Sequence, residues 1–422
     1  MLVYWAKPFL ISYFYIRRNV ATLTKLMNTA ERYRINTASF AHYWTEGIGK
    51  QLLQQLGYQP DLNQADRYVP YLFKGDEAAD RMVECLHLPV GFPQAQQLIA
   101  DYIQHPSQID ASHKGILNQF FSGIRVMPDW LDWSLLQKGL DFSQRSGLSG
   151  LIVLRDYCLM GGYESAAINK PLIYTGALKK GAVKRLSETV EFWVNITGND
   201  ALKYGSIGFN AVIKTRMIHA FARINILRST DWAISKWGIP LNAWDMLATN
   251  LGFSLVYLVG LRKMGIHPLA GESRGLFHLW KYIGYLLGIP LEILPNNENE
   301  AIEALYYWTM TQADGDADSK ALAKALQEEP IRAYYPTSQL GRKMMREIHL
   351  FYNHYLLGDY SCDLLGLDQT ILGRLAYLNI WKNRLNQFKA HNEDQRYKLV
   401  QRGRITHERV KAIYLKWNAE TK

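Results

Sequence analysis

Arg216, His219 and Arg223 stand at i, i+3 and i+7 in the run Lys214-Thr215-Arg216-Met217-Ile218-His219-Ala220-Phe221-Ala222-Arg223. A helix projects all three from one face. Ile213, Met217, Phe221 and Ile224 supply apolar cover around them. An imidazole between two guanidinium groups on an oily helix has two physical readings. In one, the imidazole ligates a haem iron and the guanidinium groups pair with the propionates. In the other, a core histidine has both nitrogens satisfied and the arginines snorkel to solvent. On spacing alone the second is the commoner arrangement.

A second polar stripe lies upstream. Arg185, Glu188, Thr189 and Phe192 fall at i, i+3, i+4 and i+7 within a helix expected over 179–194. A surface ion pair between Arg185 and Glu188 is the plain reading, and such pairs contribute little. The sharper reading sets this stripe over the edge of a haem opposite His219. Other chemistries lack their residues. There is no phosphate-binding glycine loop, dinucleotide fingerprint, HExxH or nucleophile elbow. Asp314, Asp316 and Asp318 begin like a calcium loop, but Ser319 replaces the required glycine and Ala325 the twelfth-position glutamate. His349 and His354 are five apart and do not share a helical face. Cys85, Cys158 and Cys362 are scattered, which excludes a disulfide framework and agrees with a reducing compartment.

Helical periodicity runs through nearly every segment, with no hairpin dipeptides between them. One or two helices are expected over 20–57, then helices over 78–86 (with Asp76 or a neighbour as cap) and 93–105. Pro128-Asp129-Trp130-Leu131-Asp132-Trp133 reads as a turn leading into a helix, anchored by its tryptophans. A continuous apolar helix is expected over 148–160, stopped by Gly161-Gly162, then an irregular stretch over 163–171. The helix bearing His219 is expected over 210–228. After the tight turn Trp237-Gly238-Ile239-Pro240-Leu241-Asn242 come helices over 244–264 and 273–287. The apolar run 247–261 is short of a bilayer span and reads as a buried helix. The acidic loop around Asp316 leads a helix over 320–327, and the chain from 370 onward is helical and increasingly basic.

With 422 residues, 48% hydrophobic and 20% charged, the chain can bury a large core. Its 26 Tyr and 12 Trp suit a roomy apolar interior. The charge of +10 is uneven: from Arg374 to Lys422 there are twelve Lys and Arg against four Asp and Glu. Such a segment suits anionic lipid, an acidic partner or nucleic acid, nucleic acid being the least favoured, or else a solvated helix face. Residues 1–16 are apolar and aromatic, but Arg17-Arg18 follow that run instead of preceding it. The expectation is therefore a cytoplasmic protein, peripheral to the membrane if that stretch or the basic end docks there.

From about Asp76 to about Leu367 the chain resembles the latex-clearing protein (rubber oxygenase) family, which includes the mpaB-type oxygenases. The resemblance rests on the Pro128–Trp133 turn, Thr175-Gly176-Ala177-Leu178, Arg185-Leu186-Ser187-Glu188-Thr189, the Thr215–Arg223 run, Trp237–Asn242 and Trp280-Lys281-Tyr282-Ile283-Gly284-Tyr285-Leu286-Leu287-Gly288, in that order and spacing. It implies an all-α fold with a globin-like core around one haem b and extra helices at both ends. It also implies that His219 is the proximal ligand and that Arg185 and Thr189 help seat the haem. Glu188 stands where the latex-clearing enzymes carry a lysine that closes the distal position. The family's catalytic glutamate has no secure counterpart, with Glu164 the nearest acid and Asn169 near the equivalent place.

These readings divide the chain into an N-terminal helical extension (1–70), a haem-binding oxygenase-like domain (71–370) and a basic C-terminal helical extension (371–422). The expected activity is haem-dependent oxidative cleavage of a C=C bond in an apolar isoprenoid or lipid-like substrate, with O2 as co-substrate. Cofactor residues would be His219 as iron ligand, with Arg216, Arg223, Arg185 and Thr189. Arg185, Glu188 and Thr189 would serve catalysis, with Glu188 shuttling protons if burial raises its pKa. The alternatives are a non-catalytic haem-binding or sensor protein, and a helical protein that acts at a membrane surface.

Overall fold

The computed structural model describes residues 38–176, 181–228, 231–333, 335–370 and 376–420. Among them there is no β-strand, only an isolated bridge between Ser165 and Asp314. The fold is all-α, as the sequence predicts.

The helices that position the site begin with α1, Glu77–Met82. Asp76 caps it by accepting from the Ala79 amide at 3.1 Å, which satisfies one of the unpaired N–H groups of the first turn. The chain then widens into a π-helical turn, Val83–His87. Asp132 likewise caps α2, Trp133–Arg145, taking the Ser134 and Leu135 amides. Trp130 anchors this turn edge-on against His278, Tyr282 and Tyr285.

Next comes α3, Gly147–Val153, which runs into a π-helical segment, Leu154–Leu159. Expected to be purely apolar, this stretch instead buries Arg155 and Asp156. They are tolerated because Arg155 pairs with both Asp156 and Glu329, and Asp156 also meets His349. The expected irregular stretch after Gly162 is mostly helix: α4 spans Ala166–Tyr174 with Pro171 inside it. Its polar anchor is Asn169, whose amide donates to the Tyr163 carbonyl and to Ser319.

Two long helices follow, α5 (Ala182–Ile196) and α6 (Ile207–Arg228), packed against each other. On α6, Val212, Ile213, Met217, Ala220 and Ile224 face the core. The helix α7, Ala243–Lys263, is apolar and long enough to cross a membrane by composition, yet most of it is buried inside the protein, as expected of a core helix. It is headed by Asn242, which accepts from the Asp245 amide.

The helix α8, Glu272–Leu286, lies on α2 at backbone distance. A Cβ on Gly139 would sit 2.3 Å from the Gly275 carbonyl oxygen, so only glycine permits this crossing. After further helices, among them Glu298–Thr309, Ala317–Gln327 and Gln339–Leu357, the described chain ends in α9 (Ala376–Ala390) and α10 (Glu393–Glu420). One hydrophobic core joins all of these, from Trp44 and Leu72 through Trp193, Trp244 and Trp280 to Tyr414. The apolar stretch 1–16 lies outside the described residues.

Candidate functional site

Arg216, His219 and Arg223 line one cleft, together with Gly75 and Asp76 at the head of α1 and the turn Leu287-Gly288-Ile289 after α8. The cleft is narrow, with a cavity volume of about 20 Å³, and Leu241 and Met246 form an apolar wall. The helical spacing read from the sequence therefore brings the three residues to one place.

The arginines do not snorkel. Both are buried, and each is held by a carboxylate from α1. Arg216 donates through Nε and Nη2 to the two oxygens of Asp76, the latter bond at 2.9 Å, and through Nη1 to the Leu286 carbonyl at 3.2 Å. Arg223 grips Asp80 through Nε and Nη2, the latter at 2.7 Å, and its Nη1 meets the Leu241 carbonyl at 2.8 Å. Each guanidinium thus has three of its five N–H groups engaged by the scaffold.

The two carboxylates respond differently. Burial pushes both up, but at Asp76 the charges of Arg216 and Arg223, with the hydrogen bonds from Arg216 and the Ala79 amide, pull the carboxyl below its usual value. At Asp80 burial outweighs Arg223, and the nearby Asp76 and Glu77 push the same way, so its pKa is raised.

His219 differs from its flanking arginines. Its Nδ1 is buried with no hydrogen-bond partner. Burial, with the Arg223 charge beside it and Asp76 only partly offsetting both, brings its pKa down to about 4. The ring is neutral, which is the form that ligates a metal. The reading in which both nitrogens are satisfied fails on this orphaned atom.

Backbone geometry builds the rest of the cleft. Ile239 and Ala243 donate their amides to the Leu72 and Lys74 carbonyls, pinning the turn before α7 beside the segment leading to α1. Within that turn Leu241 adopts φ +52°, a conformation costly for leucine, and its carbonyl reaches Arg223. Sequence reading passed over Asp80 and took Asp76 only as a cap. The signal was two carboxylates one helical turn apart at a helix start, which is common on solvated helices.

Arg185, Glu188 and Thr189 are not among the residues lining this cleft. Thr189 spends its hydroxyl proton on the Arg185 carbonyl of its own helix at 2.9 Å. Arg185 lies over the Tyr163 ring at 5.1 Å, and burial brings its pKa down to about 10 despite the charge of Glu188. Glu188 is exposed, so the burial that would make it a proton shuttle is missing. The other two acid positions lie elsewhere. Asn169 is committed to Tyr163 and Ser319. Glu164 is buried, accepts from Ser361 at 3.1 Å, and is pushed by that burial to about 7.

The donor set fits a metalloporphyrin: a neutral imidazole with an orphaned nitrogen, two guanidinium groups with N–H groups to spare, and an apolar wall. The cleft as it stands, about 20 Å³, is far smaller than the whole macrocycle.

Residues 145–382 match the family described as ER-bound oxygenase mpaB/B'/Rubber oxygenase, catalytic domain. The chain is also similar to the rubber oxygenase of Streptomyces sp. (strain K30), at 25% identity over 318 residues, covering 71% of this chain and 72% of that protein. Its fold is similar to that of latex clearing protein LCP in the closed state, with a TM-score of 0.57 and 18% identity over 83% of this chain and 92% of that one. The match takes in α3 to α8, including His219 and both its arginines, and on that ground the chain belongs to the mpaB and rubber oxygenase family.

Proposed function

We propose that the protein is a haem b-dependent oxygenase that uses O2 to cleave a C=C bond in an apolar isoprenoid or lipid-like substrate. The observation that carries this reading is the buried, unpartnered Nδ1 of His219 between two arginines, within the domain shared with the rubber oxygenases. A bound haem supplies the activation of dioxygen, chemistry beyond the reach of side chains alone. Cleaving one C=C with one O2 to two carbonyl groups balances without an added reductant.

His219 would hold the iron. Arg216 and Arg223 would bind the carboxylates of the macrocycle through the N–H groups that Asp76, Asp80 and the two backbone carbonyls leave over. Asp76 and Asp80 fix those guanidinium groups in place, so little side-chain entropy remains to be lost on binding. Leu241, Met246 and Ile289 line the same space with apolar surface. Arg185 and Thr189 on α5 do not line this cleft and are given no part in holding the group. Glu188, being exposed, would exchange protons with bulk water and would not hold one in a dry site.

The test is an absorption spectrum of the purified protein titrated with haemin, before and after dithionite, beside His219→Ala. A Soret band in the wild type that is lost in the variant is expected, together with oxygen uptake when squalene is supplied. A wild-type protein that takes up no haemin overturns the reading. Haem binding without oxygen uptake with squalene or other isoprenoid substrates leaves only the non-catalytic haem protein.

A further inference from the structure

The helix α9 is apolar on the side that faces away from the protein. Its inner side is settled: Ala376 and Ile380 are buried, and Asn383 donates to Ser149 at 2.9 Å and to the Met264 carbonyl at 3.0 Å. These anchors fix the rotation of the helix about its axis. Leu378, Trp381, Leu385 and Phe388 follow at i, i+3, i+7 and i+10, forming a stripe roughly 15 Å long. All four are exposed, Leu378 at 66%, Trp381 at 63% and Phe388 at 77%. Scattered exposed side chains need no explanation, but a continuous aromatic and aliphatic stripe on a pinned helix does.

Charge indicates what covers it. Lys382 and Lys389, seven residues apart and both exposed, run along one edge of the stripe. The next helix, α10, carries exposed Lys398, Arg402 and Arg409 at i, i+4 and i+11, a basic stripe of its own. Pairing this face with a second copy would bring two strongly basic segments together, which like-charge repulsion opposes. An anionic bilayer meets both demands: its acyl boundary accepts Trp, Phe and Leu, and its headgroups accept the lysines.

We propose that the outer face of α9, with Trp381 and Phe388 as anchors and Lys382 and Lys389 as flanks, docks this protein peripherally on an anionic lipid surface. The reading is independent of what His219 binds. For an enzyme with an apolar substrate, it would hold the protein where such molecules dissolve.

The test uses the full chain sedimented with vesicles of phosphatidylcholine alone or containing phosphatidylserine, at low and high salt. Binding to the anionic vesicles only, weakened by salt, is expected. The variant Trp381→Glu/Phe388→Glu should bind at least about tenfold less with an unchanged melting temperature, because both side chains are in solvent. Brominated lipid should quench tryptophan fluorescence in the wild type, and Trp381→Phe should lose that part of the quenching while still sedimenting. Equal vesicle binding by the glutamate variant, no preference for anionic lipid, or a dimer that Trp381→Glu dissociates would overturn the proposal.

Discussion

Gly288 and Asp76 approach so closely that no side chain fits between them. A Cβ on Gly288 would lie 2.2 Å from Asp76 Oδ2 and 2.9 Å from Arg216 Nε, and Gly288 adopts φ +82°. The turn after α8 thus presses its backbone onto the ion pair that orients one side of the cleft.

Gly288→Ala should therefore fail twice, by backbone strain and by collision with the Asp76 carboxylate. A loss of about 2–4 kcal/mol is expected. Urea denaturation measures it, and haemin titration should show weaker uptake as Arg216 is displaced. A variant as stable as the wild type would mean that the turn can move away from Asp76.

Asp76→Asn and Asp80→Asn should differ although both remove a partner of an arginine. Asp76 has a lowered pKa, so its ionised form stabilises the fold above the unfolded value of 3.8, and that contribution is lost as pH falls through the folded value. Asp80 has a raised pKa, so its charge is disfavoured in the folded state at neutral pH and the penalty is relieved as pH falls. At pH 7 Asp76→Asn should therefore cost more stability than Asp80→Asn. Thermal melts of the two variants side by side check the order.

Arg155 holds two fully buried carboxylates, Asp156 and Glu329, and Glu329 also accepts from the Tyr335 and Tyr414 hydroxyls at 3.1 and 3.0 Å. Arg155→Met leaves Glu329 without its ion-pair partner in the core and Asp156 with His349 alone, and a loss of about 3–5 kcal/mol is expected. Arg155→Met/Glu329→Gln should recover part of it. Chemical denaturation of the two variants tests this, and a single variant no less stable than the double would contradict it.

Acid should weaken the fold through His407. This side chain is buried on α10, and burial brings its pKa from 6.5 to about 4 although it hydrogen-bonds the Gly147 carbonyl at 2.9 Å. The unfolded chain takes up the proton first, so stability is full above pH 6.5 and falls as pH drops toward about 4. The loss from this group amounts to roughly 3 kcal/mol. His407→Gln, which keeps a donor, should flatten the decline between pH 6.5 and 4, as read by denaturation at several pH values. An unchanged slope would show that the ring is reached by water.

Much of the frame was legible in local sequence. The caps Asp76, Asp132, Asn242 and Asp316 act on the amides they precede, and a cap depends only on neighbours one turn away. The expected helix over 210–228 differs from Ile207–Arg228 by three residues at one end. The buried charges of 155 and 156 were not legible, because their partners are far away in sequence and an apolar run gives no hint of them. The stripe of Arg185, Glu188 and Thr189 has the right period, but period says nothing about which surface lies opposite.

By itself the sequence determined that Arg216, His219 and Arg223 share one helical face, because a spacing of three and four residues fixes side-chain direction through backbone geometry alone. Tertiary structure decided what each of them meets. Asp76 and Asp80 arrive from 140 and 143 residues away to claim the arginines, while no donor or acceptor reaches His219 Nδ1. A helical repeat fixes directions within one element, but whether a buried polar atom finds a partner depends on how separate elements pack.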